Sequence, residues 1–156
     1  TKKLKGNNNA IVLGKFRILT KAHYNIIKYG LKQYDDVVIA EVTINDKKET
    51  KDLRLKMLKK PFPNLEIMQT QSGNLIRIIT SSPKNINAVL AGSDRVQAYK
   101  EQLKTMPGVF VKEIPRIGED ISATKVITNI NDEKYFKANT PKEIHSMYDE
   151  LKKVYG

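Results

Sequence analysis

Five short apolar runs alternate along this chain with segments of helical periodicity, and this alternation limits the fold more than any other feature. Each run is continuous rather than alternating, as is typical of a strand buried on both faces of a parallel sheet. The runs occupy residues 10–13, 36–42, 65–68, 86–91 and 109–114. Strands that alternate with helices form βαβ units. The sequence therefore predicts an α/β fold, a doubly wound five-stranded parallel sheet with helices on both faces.

The segments between and after the runs carry the predicted helices. Apolar residues recur there at spacings of three and four, which predicts helices over 22–34, 50–60, 92–104 and 122–130. The segment 74–81 is ambiguous, because its β-branched residues favour a strand. Leu75, Ile78 and Ile79 also fit one helical face. We favour a helix, since the βα alternation requires one before the fourth run.

The two ends of the chain have patterns of their own. Residues 1–9 are polar, and we expect a flexible arm. Thr140 and Glu143 have the spacing of a capping box, with Pro141 between them at the first helical position. They predict a C-terminal helix over 140–156 with an apolar stripe. A length of 156 residues fits one domain, which we expect to span the whole chain.

The chain carries a large positive charge and no cysteine. Its 28 Lys and Arg residues against 17 Asp and Glu residues give a formal charge of +11, which predicts polyanionic partners. The basic residues are spread along the chain, so nucleic acid is a possible partner but not a favoured one. The lack of cysteine excludes disulfides, thiolate zinc sites and a catalytic thiol. No apolar run approaches a membrane span and no signal-peptide pattern is evident, so we expect no membrane partner and a cytoplasmic location, or the host cytoplasm if the protein is viral.

Three stretches with phosphate-binding chemistry follow the first, fourth and fifth runs. They are residues 14–23, 92–95 and 121–125. Each is predicted to lead into a helix, where backbone N–H groups and basic side chains bind phosphates. Because the carboxyl ends of parallel strands share one edge of a sheet, the three stretches should line one cleft. A helix N-cap at Asp120 or Ser122 would also explain Ser122 and Thr124, and an ordinary turn would explain residues 92–94.

These stretches resemble the signatures of the nucleotidyltransferase superfamily that carries HxGH or TxGH after the first strand and ISSTxxR before a late helix. Residues 20–23, Thr-Lys-Ala-His, are similar to the first signature, and residues 14–16, Gly-Lys-Phe, precede it where the family has Gly-Arg-Phe or Gly-Thr-Phe. Residues 121–125, Ile-Ser-Ala-Thr-Lys, are similar to the second. The superfamily includes cytidylyltransferases, adenylyltransferases and many phage-encoded relatives.

The resemblance implies that the chain transfers CMP or AMP from a nucleoside triphosphate to a small phosphorylated acceptor and releases pyrophosphate. His23 would donate a hydrogen bond to the α-phosphate, Thr20 would bind a phosphate oxygen, and Lys125 would neutralise charge; these are the three catalytic candidates. Mg²⁺ is expected with the triphosphate, held by phosphate oxygens and water and not by protein side chains. The residues implied to bind the nucleotide are Gly14, Lys15, Phe16, Lys21, Arg54, Gly92, Asp94, Arg95, Ile121, Ser122 and Thr124.

Two positions depart from the family signatures. Ala22 stands at the glycine of the first signature, and Ile127 stands at the arginine of the second. Both changes could lower activity, so the alternative function is a catalytically weakened nucleotide- or nucleic-acid-binding module on the same fold. The nucleobase and the acceptor stay open, and the apolar stripe of the C-terminal helix leaves a homodimer as a further possibility.

Overall fold

A computed structural model describes residues 8–43, 46–114 and 122–156, and it contains the predicted sheet. The strands are β1 (Asn9–Gly14), β2 (Asp36–Val42), β3 (Glu66–Thr70), β4 (Ile86–Ala91) and β5 (Phe110–Glu113). They form one sheet in the order β3-β2-β1-β4-β5, and every neighbouring pair is parallel. The chain therefore adds strands first on one side of β1 and then on the other. The strand order reverses between β1 and β4, which is where ligands bind in sheets of this class.

The helices follow the predicted alternation through the first four strands. They are α1 (Lys21–Gln33), α2 (Lys48–Lys59), α3 (Leu75–Thr80), α4 (Ser93–Gln102), α5 (Ala123–Thr128), α6 (Glu133–Asn139) and α7 (Tyr148–Tyr155), with a 3₁₀ helix at Lys142–Met147 before α7. The helical prediction for the ambiguous segment 74–81 is confirmed by α3. Within the described residues, no helix is both long and apolar enough to cross a membrane.

Both faces of the sheet are covered by helices, as predicted. Ala10 and Val12 of β1 belong to a buried cluster that includes side chains of α1, α2 and the C-terminal helices. Ile11 belongs to a second cluster, formed with α3 and the end of α4. Successive side chains of a strand point to opposite faces. Burial on both faces therefore explains why β1 is a continuous apolar run.

Helix α1 lies unusually close to the sheet at Gly30. A Cβ atom built on Gly30 would lie 2.5 Å from Leu90 Cδ1 and 3.0 Å from Val37 Cγ2. Leu90 and Val37 are both buried in the core, so neither side chain can move aside freely. The missing side chain of Gly30 thus sets how closely α1, and the loop before it, approach β2 and β4.

The structure corrects two predictions at the ends of the chain. Residues 1–7 of the expected arm lie outside the described residues, and Asn9 is not part of an arm, because it is buried as the first residue of β1 and its side-chain amide donates to the Asn85 carbonyl. The capping box is wrong as well. The Thr140 hydroxyl donates to the Phe136 carbonyl at the end of α6, and Pro141 precedes the 3₁₀ helix without a side-chain cap.

The C-terminal segment is consequently not one continuous helix. Helix α6 was not predicted, and residues 142–147 form a 3₁₀ turn before α7 begins at Tyr148. Glu143, expected to cap the helix, instead accepts a hydrogen bond from the Tyr24 hydroxyl of α1 at 2.9 Å. The Tyr148 hydroxyl donates to the Ile130 carbonyl at 2.7 Å and fixes the direction of the segment.

Candidate functional site

The loop that leaves β1 is shaped around Phe16. Gly14 ends the strand, and a Cβ atom at that position would lie 3.1 Å from Phe16 Cε2. Phe16 has a φ of 48°, a left-handed conformation that costs a non-glycine residue about 1 kcal/mol or more. Its side chain is almost fully buried in the main core cluster. Burial of the ring offsets the backbone strain and fixes the course of the loop.

Thr20 and His23 lie together at the start of α1. Thr20 is the N-cap residue, and its hydroxyl oxygen accepts from the backbone N–H of His23 at a long 3.5 Å. The half-buried His23 ring meets the Phe16 ring edge-on, with centroids 5.1 Å apart and an interplanar angle of 65°. Thr20 is fully buried, whereas Lys21, the first residue of the helix, is exposed. The imidazole is thus held on the first turn of a 13-residue helix, whose dipole favours anions.

The stretch 121–125 is joined to the loop after β1 by Arg17, a residue that the sequence analysis did not assign to the site. The guanidinium of Arg17 donates from Nη2 to the Thr124 hydroxyl at 3.1 Å, joining the loop after β1 to α5. The two residues are separated by 107 positions in the sequence. A basic residue inside the stretch 14–23 was the available signal, but nothing in the sequence indicates which helix it reaches.

Helix α5 begins with an ordinary cap. Ser122 is the N-cap residue, and its hydroxyl accepts from the backbone N–H of Lys125 at 3.1 Å. Ser122, Thr124 and Lys125 are all exposed. Ile121 lies outside the described residues. Ser122 therefore has the capping role that was the alternative to phosphate binding, while Lys125 is exposed and the Thr124 hydroxyl accepts from Arg17.

Arg54, which the resemblance implies to bind the nucleotide, is a buried residue and not an exposed cation. It lies on α2, is only 3% exposed, and donates from Nη1 to Asp46 at 2.7 Å and to the Lys15 carbonyl at 3.2 Å. Its Nε is buried without a partner among the described residues. Because Asp46 compensates its charge, the geometry favours bracing of the loop at Lys15 over direct contact with a ligand. The side chain of Lys15 itself is exposed.

Two further polar residues at this edge were missed by the sequence analysis. Glu41, at the end of β2 and opposite Gly14 in the sheet, is fully buried, and its Oε1 accepts from Gln69 at 2.7 Å. Burial raises the pKa of Glu41 to about 7, although the Gln69 hydrogen bond and the Arg54 charge act in the opposite direction. Burial likewise raises the pKa of Tyr155, against the lowering effect of Arg54 and Arg17. A carboxyl group within an apolar strand gave no sequence signal for a site.

The third stretch lies beyond β4, the strand that pairs with β1. Gly92 is the N-cap residue of α4, and its carbonyl accepts from the backbone N–H of Arg95 at 3.0 Å. Asp94 and Arg95 are exposed on the first turn. Because β1 and β4 flank the reversal of strand order, this turn and the loop after β1 border the same end of the sheet.

A shallow groove of about 650 Å³ lies beside the stretch 14–23, and of that stretch only Lys21 lines it. It lies between the first turns of α1, at Lys21, Tyr24 and Asn25, and the segment 141–143. Within the described part of the chain, no three His, Asp or Glu side chains come together in a group that could hold a metal ion. The nearby carboxylates of Glu41 and Asp46 are bonded to Gln69 and Arg54.

Comparison with known proteins finds adenylyltransferases among the relatives of this chain. No protein-family model matches the chain. A phosphopantetheine adenylyltransferase from Desulfatibacillum aliphaticivorans is 33% identical over 116 residues, which are 69% of this chain and 64% of that enzyme. The chain thus spans less than two thirds of the length of this curated relative.

Solved structures resemble the fold at lower identity. A structure from Vibrio parahaemolyticus, assigned as a nicotinate-nucleotide adenylyltransferase, has a TM-score of 0.67 at 15% identity and covers 90% of this chain and 97% of its own. A bifunctional NMN adenylyltransferase/ADP ribose pyrophosphatase from Francisella tularensis, complexed with AMP and a manganese ion, has a TM-score of 0.63 at 14% identity. It matches 95% of this chain and 49% of its own.

Proposed function

The chain belongs to the nucleotidyltransferase superfamily that carries the HxGH and ISSTxxR signatures, and we propose that it transfers AMP from ATP to a small phosphorylated acceptor, releasing pyrophosphate. One observation carries the proposal. The two signature stretches meet at the carboxyl edge of the sheet, joined by the bond from Arg17 to Thr124. The adenylyl group is favoured because the curated relative is named for adenylyl transfer. CMP transfer from CTP stays as the rival outcome of the test.

The proposed reaction needs positioning and positive charge more than a protein nucleophile. A phosphate oxygen of the acceptor attacks the α-phosphorus, a new P–O bond forms, and the bond to the β-phosphate breaks, so that pyrophosphate leaves with the electron pair. Negative charge grows on the oxygens of the α-phosphate. We infer that His23, whose ring contacts Phe16 on the first turn of α1, donates a hydrogen bond there.

Thr20 acts in this scheme through His23. Its hydroxyl is fully buried and accepts from the His23 backbone N–H, which keeps the first turn of α1 in place. The hydroxyl retains its own proton for donation. Its burial favours a positioning role over the direct contact with a phosphate oxygen that the resemblance implies.

The remaining charge of the triphosphate would be bound by the exposed groups around the two stretches. Lys21, Thr124 and Lys125 are exposed there, and Arg95 is exposed on the turn after β4. Mg²⁺ would enter with ATP and lower the charge of the triphosphate, held by phosphate oxygens and water. Asp46 is bonded to Arg54 and Glu41 Oε1 accepts from Gln69, whereas Glu41 Oε2 is buried without a partner among the described residues.

The direct test measures pyrophosphate release. The protein is incubated with Mg²⁺, with ATP or CTP, and with a panel of phosphorylated acceptors that includes phosphopantetheine and nicotinate and nicotinamide mononucleotides. We expect product with ATP and at least one acceptor, and a fall in kcat of about 100-fold or more in His23→Asn. His145→Asn is the matched control, since that histidine contacts the Thr140 carbonyl and the Phe136 ring and belongs to none of the three stretches.

Each other outcome is decisive. Product with CTP and none with ATP would replace adenylyl by cytidylyl transfer. Binding of ATP without product from any acceptor would favour the catalytically weakened module. Equal kcat values for His23→Asn and His145→Asn would remove His23 from the mechanism.

A further inference from the structure

Arg17 differs from the other arginine at this edge in how its charge is compensated. Arg54 is buried and forms an ion pair with Asp46 at 2.7 Å. Arg17 is partly exposed, and its recorded partner is the uncharged Thr124 hydroxyl. Among the described residues, no carboxylate lies within ion-pair distance of Arg17. The charge of Arg17, which lies between the loop after β1 and α5, is therefore not compensated by any carboxylate of the described residues.

The loop after β1 and the bond to Thr124 hold the Arg17 guanidinium in position. Arg17 directly follows Phe16, whose buried ring and left-handed φ fix the course of the loop. A guanidinium has five N–H donors in a planar fork, of which the Thr124 bond uses one. The remaining donors suit two phosphate oxygens at once.

Helix α5 itself offers no cation on its inner side. Ile127, which stands where the second signature has arginine, packs against the main core cluster. Lys125, on the same helix, is exposed. Among the described residues, Arg17 is the cation that donates a hydrogen bond to Thr124, and it does so from the loop after β1.

We propose that Arg17 is a triphosphate-binding residue, and that its guanidinium binds the β- and γ-phosphates beside Thr124 in the place left without an arginine by Ile127. The inference rests on the proposed function, because it assigns a ligand to the same site. If Arg17 has this role, the preference for ATP over AMP depends on Arg17 in the stretch 14–23 and not on a residue of α5.

The test is calorimetric binding of ATP and of AMP to the full chain and its variants. In Arg17→Ala we expect the Kd for ATP to rise roughly 10- to 100-fold and that for AMP by less than about threefold, because AMP lacks the two phosphates concerned. The Kd of Arg17→Lys for ATP should lie between those of the parent protein and Arg17→Ala, since an ammonium group keeps the charge but not the planar set of donors. Arg77→Ala on α3 removes the same charge at an exposed position and should change neither Kd.

A purely structural tie between the loop and α5 would give a different pattern. In that case Arg17→Ala would weaken ATP and AMP by the same factor, and the inference would be overturned. An unchanged ATP affinity in Arg17→Ala would overturn it too, while leaving the proposed function standing. Failure of the unmodified protein to bind ATP would overturn both.

Discussion

The Phe16 ring packs edge-on against the His23 imidazole, with the ring centroids 5.1 Å apart. The contact links a strained residue to the candidate catalytic group, because Phe16 has a φ of 48° while its side chain is buried. A Cβ atom built on Gly14 would lie 3.1 Å from Cε2 of the same ring. The orientation of His23 thus depends on the lack of a side chain at Gly14, at the end of β1.

Gly14→Ala should lower turnover more than stability. Its Cβ atom would lie 3.1 Å from Phe16 Cε2, so the ring must shift by a few tenths of an ångström and carry the His23 ring with it. We expect kcat to fall about tenfold, since small misplacements of a catalytic group are costly. Steady-state kinetics and urea unfolding measure the two effects. Gly73→Ala is the control, because nothing lies within 4 Å of its Cβ position; equal kcat in both variants would contradict the prediction.

Glu41 should make the protein less stable as the pH rises. Its pKa of about 7 in the folded protein exceeds the ordinary 4.5, so the folded state retains a proton that the unfolded state releases between these values. The free energy of unfolding therefore falls across pH 4.5–7, by about 3 kcal/mol from this group, and stays reduced above pH 7. Below pH 4.5 both states hold the proton and the group has no effect.

Glu41→Gln isolates this contribution, since an amide cannot ionise. We expect the variant to exceed the parent protein in unfolding free energy at pH 8 and to approach it near pH 4.5 in urea titrations. The exposed Glu66 of β3, changed to Gln, serves as the control and should leave the pH profile almost parallel to that of the parent. A Glu41→Gln profile with the parent's slope would show that the carboxyl group is not the cause.

Gly30→Ala should destabilise the fold even though alanine favours helices. The added Cβ atom would lie 2.5 Å from Leu90 Cδ1, and overpacking of this kind outweighs a helix-propensity gain of about 1 kcal/mol. We expect a net loss of about 1–2 kcal/mol in unfolding free energy. Gly108→Ala, where nothing lies within 4 Å of the Cβ position, should stay within about 0.5 kcal/mol of the parent. If both variants unfold at the same denaturant concentration, α1 is not packed as closely as the structure indicates.

Arg54→Met should lower the stability of the fold rather than only the affinity for ATP. It leaves the carboxylate of Asp46, and nearby Glu41, without their buried counter-charge, and it removes the bond to the Lys15 carbonyl. We expect a loss of about 3 kcal/mol in unfolding free energy. Lys48→Met removes the exposed ion pair with Asp52 and should change stability very little. A stable Arg54→Met protein that has lost only ATP affinity would instead support direct contact of Arg54 with the nucleotide.

The C-terminal segment shows where local patterns mislead. Thr140 and Glu143 have the spacing of a capping box, yet the Thr140 hydroxyl is already bonded to the Phe136 carbonyl. Glu143 is engaged by Tyr24 of a helix more than a hundred residues away. A capping pattern predicts a helix only when its side chains have no better partner elsewhere, and such partners are set by tertiary packing.

In the candidate site too, some features depend on residues nearby in the sequence and others depend on tertiary packing. Thr20 as the cap of α1 and Ser122 as the cap of α5 were within reach of the sequence, because a cap depends on residues three positions away. Glu41 was not, since a carboxyl group inside an apolar strand is indistinguishable from a misplaced surface residue until its neighbours are known. Arg54 was assigned to ligand binding, although its burial depends on α2 docking under the loop at Lys15.

The sequence by itself determined the order and type of the elements through β4, the parallel sheet and the stretches that follow its strands. These depend on continuous apolar runs, on a hydrophobic period of 3.6 residues in the helices and on short-range caps, which are local properties of the chain. Only the tertiary structure decided which side chains meet at the sheet edge. The bond from Arg17 to Thr124, the buried pair of Arg54 with Asp46 and the ring contact of Phe16 with His23 depend on distances set by the packing of helices on the sheet. No local pattern encodes those distances.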